Sequence, residues 1–261
     1  MLYSYPVTLL ILCPLIFLAA FIDSIAGGGG LISLPAYIFA GLPIHTAYGT
    51  NKLPASMGLL TAMTNYLRGG YVDFSAAIPG ASGALIGSII GTKLALSLSP
   101  MALQICLMVI LPVVAFFILS GRGTENRILK TPPSFRLKLI LSFFIGLVFG
   151  CYDGFFGPGA GMFMTIALTS LVRIDLIKSA GTARVINFSS NFTSMITWFI
   201  NGKILFPIAI PCIVCSISGA YLGSRMAMKF GKKIIRTVLV IVALLLFIKI
   251  LSDLISGNFS F

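Results

Sequence analysis

Two short runs in this chain hold most of the groups that could do chemistry. Asp23-Ser24-Ile25-Ala26 leads into Gly27-Gly28-Gly29-Gly30, and Asp153-Gly154-Phe155-Phe156 leads into Gly157-Pro158-Gly159-Ala160-Gly161. Both runs lie inside apolar sequence. A Gly within a helix costs about 1 kcal/mol relative to Ala, and Pro about 3, so a helix is predicted to break at each place. The backbone N–H groups freed at the start of the following half-helix carry partial positive charge and suit an anion. In lipid, broken helices persist only where they are buried in protein or line a water-filled cavity. Gly27, Gly28, Gly29, Gly30, Gly157, Gly159 and Gly161 are therefore candidate substrate-binding positions. Close helix packing, which small residues also serve in membranes, is their other use.

Charged and polar side chains recur at matching places. Gly49-Thr50-Asn51-Lys52 has a partner in Gly181-Thr182-Ala183-Arg184. A cation in an apolar segment costs roughly 2.5–3.5 kcal/mol on insertion scales, and such residues mark cavities and pathways. Lys52 and Arg184 can neutralise an anionic substrate, with Thr50, Asn51 and Thr182 beside them; snorkelling to the interface is the alternative. Asp23 and Asp153 can carry a coupling proton, pair with those cations, or cap helices next to the glycines. Asn65, Asn187, Ser190 and Asn191 read as hydrogen bonds between helices.

Several chemistries have no residues to support them. His45 is the single histidine and falls in a predicted loop, so neither a His-based metal site nor a catalytic triad is available. Gly27–Gly30 is not followed by Lys-Ser/Thr, which excludes a Walker A loop in that run. Six Asp and Glu form no cluster resembling a hydrolase centre. Cys13, Cys106, Cys151, Cys212 and Cys215 all sit in apolar surroundings and read as packed thiols, including the pair Cys212-Ile-Val-Cys215. The expectation is no enzyme, no cofactor and no metal.

The elements that must position these residues are membrane helices. Hydrophobic residues make up 58% of the 261 and charged residues 9%, against about 25% charged in soluble domains. Apolar segments can be marked at 6–25, 30–41, 48–66, 74–96, 100–120, 137–156, 160–172, 180–200, 204–226 and 234–255. The first has no Lys or Arg before it and reads as a retained span. The net charge of +12 does not indicate a nucleic-acid partner, because ten of the 18 Lys and Arg fall in two stretches between apolar segments. These are Arg122, Arg127, Lys130, Arg136, Lys138 and Arg225, Lys229, Lys232, Lys233, Arg236. Such stretches mark cytoplasmic loops facing the lipid bilayer surface.

The polar stretch GRGTENRILKTPPS divides the chain into related halves. A shift of 132 places Gly49-Thr50 on Gly181-Thr182, Lys52 on Arg184, Ile78-Pro79 on Ile210-Pro211, and Gly87 and Gly91 on Gly219 and Gly223. A shift of 130 pairs Asp23, Gly27 and Gly29 with Asp153, Gly157 and Gly159. The organisation expected is a first membrane repeat at 1–120, a basic cytoplasmic linker at 121–136 and a second repeat at 137–261. With both basic loops cytoplasmic, five segments per half invert the second copy, a recurring transporter design. The short second segment of each half spans or re-enters. The fold class is thus all-α integral membrane, with about eight to ten segments in two five-segment inverted repeats with broken helices.

Asp23-x3-GGGG, Pro35, Gly41-Leu42-Pro43, Ala47 and Gly49-Thr50-Asn51 closely resemble the first-repeat signature of the sulfite exporter TauE/SafE family. Asp153-x3-Gly-Pro-Gly-Ala-Gly and Gly181-Thr182-Ala183-Arg184 resemble its weaker second repeat, although Pro158 and Ala160 interrupt the usual glycine triplet. The likeness covers essentially the whole chain. It implies a multi-pass carrier of small anions in the bacterial inner membrane, with sulfite and organosulfonates as the family's cargo. The function expected is a secondary transporter working by alternating access. The alternatives are an intramembrane enzyme acting on an anionic or lipid-linked substrate and a non-transporting membrane subunit.

Overall fold

The computed structural model describes residues 4–106, 109–110 and 133–231. Its elements are α1 (Tyr5–Ala26), α2 (Gly30–Phe39), α3 (Ile44–Arg68), α4 (Phe74–Ser97), α5 (Phe135–Phe155), α6 (Ala160–Ala167), α7 (Leu176–Ile200) and α8 (Phe206–Phe230). A π-helical turn, Leu168–Val172, continues α6. The span expected at 100–120 is described only as helix over 100–106 and 109–110. Residues 121–132 and the span at 234–255 lie outside the described residues.

Each break forms where glycine supplies a backbone that other residues avoid. α1 ends because Gly27 turns to φ +89°, its N–H bonding back to the Asp23 carbonyl. At the end of α5, Gly157 takes φ +93° and Gly159 φ +82°. A side chain at these left-handed positions would be strained. Pro6 and Pro207 start α1 and α8, where no N–H is needed. Asp175 accepts from the Ile177 N–H at 3.1 Å and caps α7.

By length and composition α1, α4, α5 and α8 can each cross a bilayer. α3 and α7, 25 residues each, reach about 37 Å. They hold the buried polar residues, among them Lys52 on α3 and Arg184, Asn187 and Asn191 on α7. The chain is a helical, multi-pass membrane protein.

Several elements recur at one sequence offset. α3 and α7 run from 44 to 68 and from 176 to 200, an offset of 132 at both ends. α4 and α8 start at 74 and 206, the same offset. Contacts exchange between copies as well. α1 packs most heavily on α8, and α5, the counterpart of α1, packs on α4. Both interfaces close on glycine: a Cβ at Gly87 would strike the Leu147 carbonyl, and one at Gly219 the Phe17 carbonyl. Thr50 accepts from the Leu205 N–H, and Thr182 from the Asp73 N–H, each at 3.0 Å.

These contacts set the helix directions. The start of α3 meets the chain just past α7, and the start of α7 meets the chain just past α3, so the two run antiparallel. At one end lie Tyr71 against Gly181 and the ion pair of Lys138 with Asp73. At the other lie Tyr5, which donates to the Pro207 carbonyl at 3.0 Å, and Gly49 against Lys203. Short α2 returns to this second end, where Tyr37 packs in one cluster with Leu12, Trp198 and Ile208.

Candidate functional site

The two glycine breaks touch. A Cβ at Gly27 would strike the backbone of Gly161 and Met162, and one at Gly30 would lie 2.9 Å from Pro158 Cα. The start of α2 is therefore laid against the start of α6, with only backbone between them. Both helix starts carry the positive end of a dipole, although local bonds already take up part of their N–H groups, Leu31 to the Gly28 carbonyl at 3.1 Å and Met162 to the Gly159 carbonyl at 3.0 Å. Glycines here serve close packing and site lining together, the two uses that the sequence leaves open.

Beside the crossing lies a cavity of about 60 Å³, room for a few waters or one small ion. Gly27, Gly29, Gly30, Gly157 and Gly161 line it, together with Asp23, Asn51, Lys52 and Asp153. The remaining candidates stand elsewhere. Gly28 and Gly159 belong to the breaks without lining the cavity, Gly159 being the N-cap of α6. Thr50 and Thr182 anchor the ends of the opposite repeat through the bonds given above. Asn65 bonds α3 to α8 through Ser224 at 2.8 Å, as the sequence suggests.

The cations differ sharply. Lys52 is 3% exposed, and its ammonium donates to the Asp153 carbonyl (2.8 Å), to Asp153 Oδ1 (3.1 Å) and to Asn191 Oδ1 (3.2 Å). All three of its N–H bonds are taken up. Ser190 Oγ and Asn191 Nδ2 donate to Asp153 Oδ2 at 2.6 and 2.8 Å. Asp153, 2% exposed, is thus saturated. This half of the site is a closed, neutral polar knot.

Arg184 holds the matching place in the second repeat and is 0% exposed, yet its Nε, Nη1 and Nη2 have no hydrogen-bond partner among the described residues. Buried guanidinium is costly unless paired. Arg184 does not itself line the cavity but stands behind Gly161, which does: a Cβ on Gly161 would come within 2.7 Å of Nη1 and 2.8 Å of Asn187 Nδ2. Asp23, the counterpart of Asp153, lines the cavity and among the described residues binds only the Gly29 N–H, through Oδ1 (3.0 Å).

The asymmetry comes from three substitutions between repeats. Asn187, Ser190 and Asn191 correspond by the 132 shift to Ala55, Gly58 and Leu59. The polar trio fills the Asp153 side; the small or apolar trio lines the cavity on the Asp23 side. Ser190 and Asn191 bond between helices, as the sequence suggests; that Asp153 is their partner is what residue-by-residue reading leaves open. Comparison of the two repeats at these positions would have found it.

The chain matches the family described as Sulfite exporter TauE/SafE over residues 12–250. It is 38% identical over 240 residues to a "Probable membrane transporter protein" of Haemophilus influenzae, covering 91% of this chain and 92% of that protein. It is 34% identical to "Probable membrane transporter protein ORF9" of Sinorhizobium sp, over 91% and 90%. It is 33% identical to "Probable membrane transporter protein YfcA" of Escherichia coli K12, over 90% and 87%. No solved structure matches the chain significantly. On its length-wide match and on these relatives, the chain belongs to the sulfite exporter TauE/SafE family of membrane transporters.

Proposed function

We propose that this chain is a secondary transporter of small anions, sulfite- or sulfonate-like, across the bacterial inner membrane, and that the anion binds in the cavity where the two half-helices cross. The observation that carries this reading is Arg184, a fully buried guanidinium with no hydrogen-bond partner among the described residues, behind the crossing of two helix starts whose dipoles are positive there. A tetrahedral or trigonal oxyanion accepts from a guanidinium and is favoured by the positive ends of helices. The family's description as sulfite exporters agrees with an anion. Uptake of radiolabelled sulfite or methanesulfonate by proteoliposomes of the purified chain tests it. Transport of neither by active, correctly inserted protein would overturn it.

The two copies are read as inverted in the membrane, which suits alternating access by rocking of one repeat against the other. The antiparallel course of α3 and α7 supports this, since helices related by the repeat would run parallel without inversion. Charge supports one orientation. Arg68, Arg136, Lys138, Arg173, Lys178 and Lys229 lie at or near the Asp73 end, and Lys93 and Lys203 toward the Tyr5 end. The positive-inside rule puts the Asp73 end in the cytoplasm. Single cysteines at Arg68 and Lys203, on a Cys-free background, are expected to differ: only position 203 should react with an impermeant thiol reagent in intact cells. Labelling at 68 instead would reverse the orientation, and labelling at both would sink the inverted topology.

A smaller change probes the crossing itself. Gly161→Ala places a methyl between Arg184 and Asn187 while favouring helix α6 by up to about 1 kcal/mol. Anion affinity is expected to fall about fivefold, roughly 1 kcal/mol by calorimetry, with thermal stability kept. Undiminished affinity would place the anion away from Gly161.

A further inference from the structure

The duplicated carboxylates have parted in role, and the difference bears on what accompanies the anion. Asp153 is spent: both oxygens are engaged, and Lys52 balances its charge. Asp23 Oδ1 receives the Gly29 N–H, while Oδ2 accepts nothing among the described residues and stands at the cavity. Its counterpart cation, Arg184, is equally uncommitted.

The charges acting on Asp23 can be named. They are Arg184 of α7, Asp153 of α5 and Lys52 of α3. Tyr66 of α3 lies close by and donates its hydroxyl to the Ser24 carbonyl at 3.1 Å. α2 and α6 contain no charged residue, and Arg225 and Lys229 of α8 are exposed. Lys52 with Asp153 contributes no net charge. The balance of the site is therefore that of Arg184 and Asp23 alone.

Resting on the anion-site reading, we propose that Asp23 takes up one proton with each anion bound, which makes the cargo of this site an anion and a proton together. With Asp23 ionised, its charge and that of Arg184 sum to zero without contact between them, and an incoming monoanion would bring an uncompensated charge into a low-dielectric cavity. With Asp23 Oδ2 protonated, the site carries one positive charge, and a monoanion on Arg184 restores neutrality. The proton is held on Oδ2 and leaves when the anion leaves; no bond in the anion is made or broken. The two half-helix starts are present in both states and do not alter this count.

Linkage gives the sign. A site that gains a proton on binding loses affinity as pH rises above the titration of free Asp23, approaching tenfold per pH unit, and is flat below it. The probe is methanesulfonate, whose strong parent acid brings no proton of its own in this range. Its binding to the purified full chain would be followed by calorimetry from about pH 5 to pH 8, in buffers of different ionisation enthalpy that report proton uptake.

Above the titration of free Asp23, wild type is expected to take up close to one proton per anion and to show that slope. Asp23→Asn is expected to take up none and to bind with one affinity at every pH. pH-independent binding by wild type, without proton uptake, overturns the proposal and leaves the anion site standing. Loss of proton uptake in Asp153→Asn but not in Asp23→Asn overturns the assignment to Asp23. No binding of methanesulfonate or sulfite by folded wild type removes the anion site and the proposal with it. If Asp23→Asn does not fold, Asp23→Glu decides: proton uptake kept, on a curve displaced along the pH axis, supports the proposal, and an undisplaced curve overturns it.

Discussion

Replacing Arg184 with Met is expected to cut methanesulfonate affinity at least a hundredfold, about 2.7 kcal/mol, and to leave the protein as stable as before or more so. The two effects share a cause. The guanidinium is fully buried, and none of its three nitrogens has a hydrogen-bond partner among the described residues. An unpaired buried ion weighs against the fold by several kcal/mol, and Met supplies a similar apolar stem without that charge. What stability gains, the ligand loses, because the same unspent donors are those that an oxyanion would occupy. Calorimetry and thermal unfolding in detergent on one preparation read both. Wild-type affinity in the variant would mean that the anion, if any, binds elsewhere. A clear drop in Tm would mean that Arg184 is a structural residue.

Lys52→Met should do the reverse and damage the fold. Its ammonium is the charge partner of Asp153, which is 2% exposed, and deleting one member of a buried pair costs about 3–5 kcal/mol. Adding Asp153→Asn removes the stranded charge and is expected to recover most of the loss, since a neutral amide can still accept from Ser190 Oγ. Melting temperatures of the single and double variants test this. A single variant that melts like wild type, or a double variant no better than the single, would show that the pair does not hold α3 to α5.

The broad architecture was legible because membranes leave few choices. Apolar length marks the outer helices, and glycine runs inside them must break a helix. The matched segments gave α3 and α7 to within four residues, at 48–66 and 180–200 against Ile44–Arg68 and Leu176–Ile200. The starts fell short because Ile44–Ala47 and Leu176–Ser179 lie just past Pro43 and Asp175, whose signal is a cap and not apolarity. What could not be read was which of two matched cations is spent. Lys52 and Arg184 look alike along the chain, and both appear as candidate anion partners there. Their fates depend on Ser190 and Asn191, which reach Asp153 across a helix interface, while the aligned Gly58 and Leu59 offer nothing to Asp23. Sequence distance hides such contacts; only packing brings them within 3 Å.

The way the outer helices pair also bears on how the protein is made. α1 closes its glycine-lined interface with α8, near the other end of the chain, and α4 closes its own with α5 across the central segment. The first described helix to leave the ribosome therefore waits in lipid for its main partner until the last described helix has been inserted. Neither half can complete its own interior during synthesis. Assembly must be a late, concerted docking of two partly formed halves, and a chain stalled before α8 would hold an exposed groove for quality-control proteases to find.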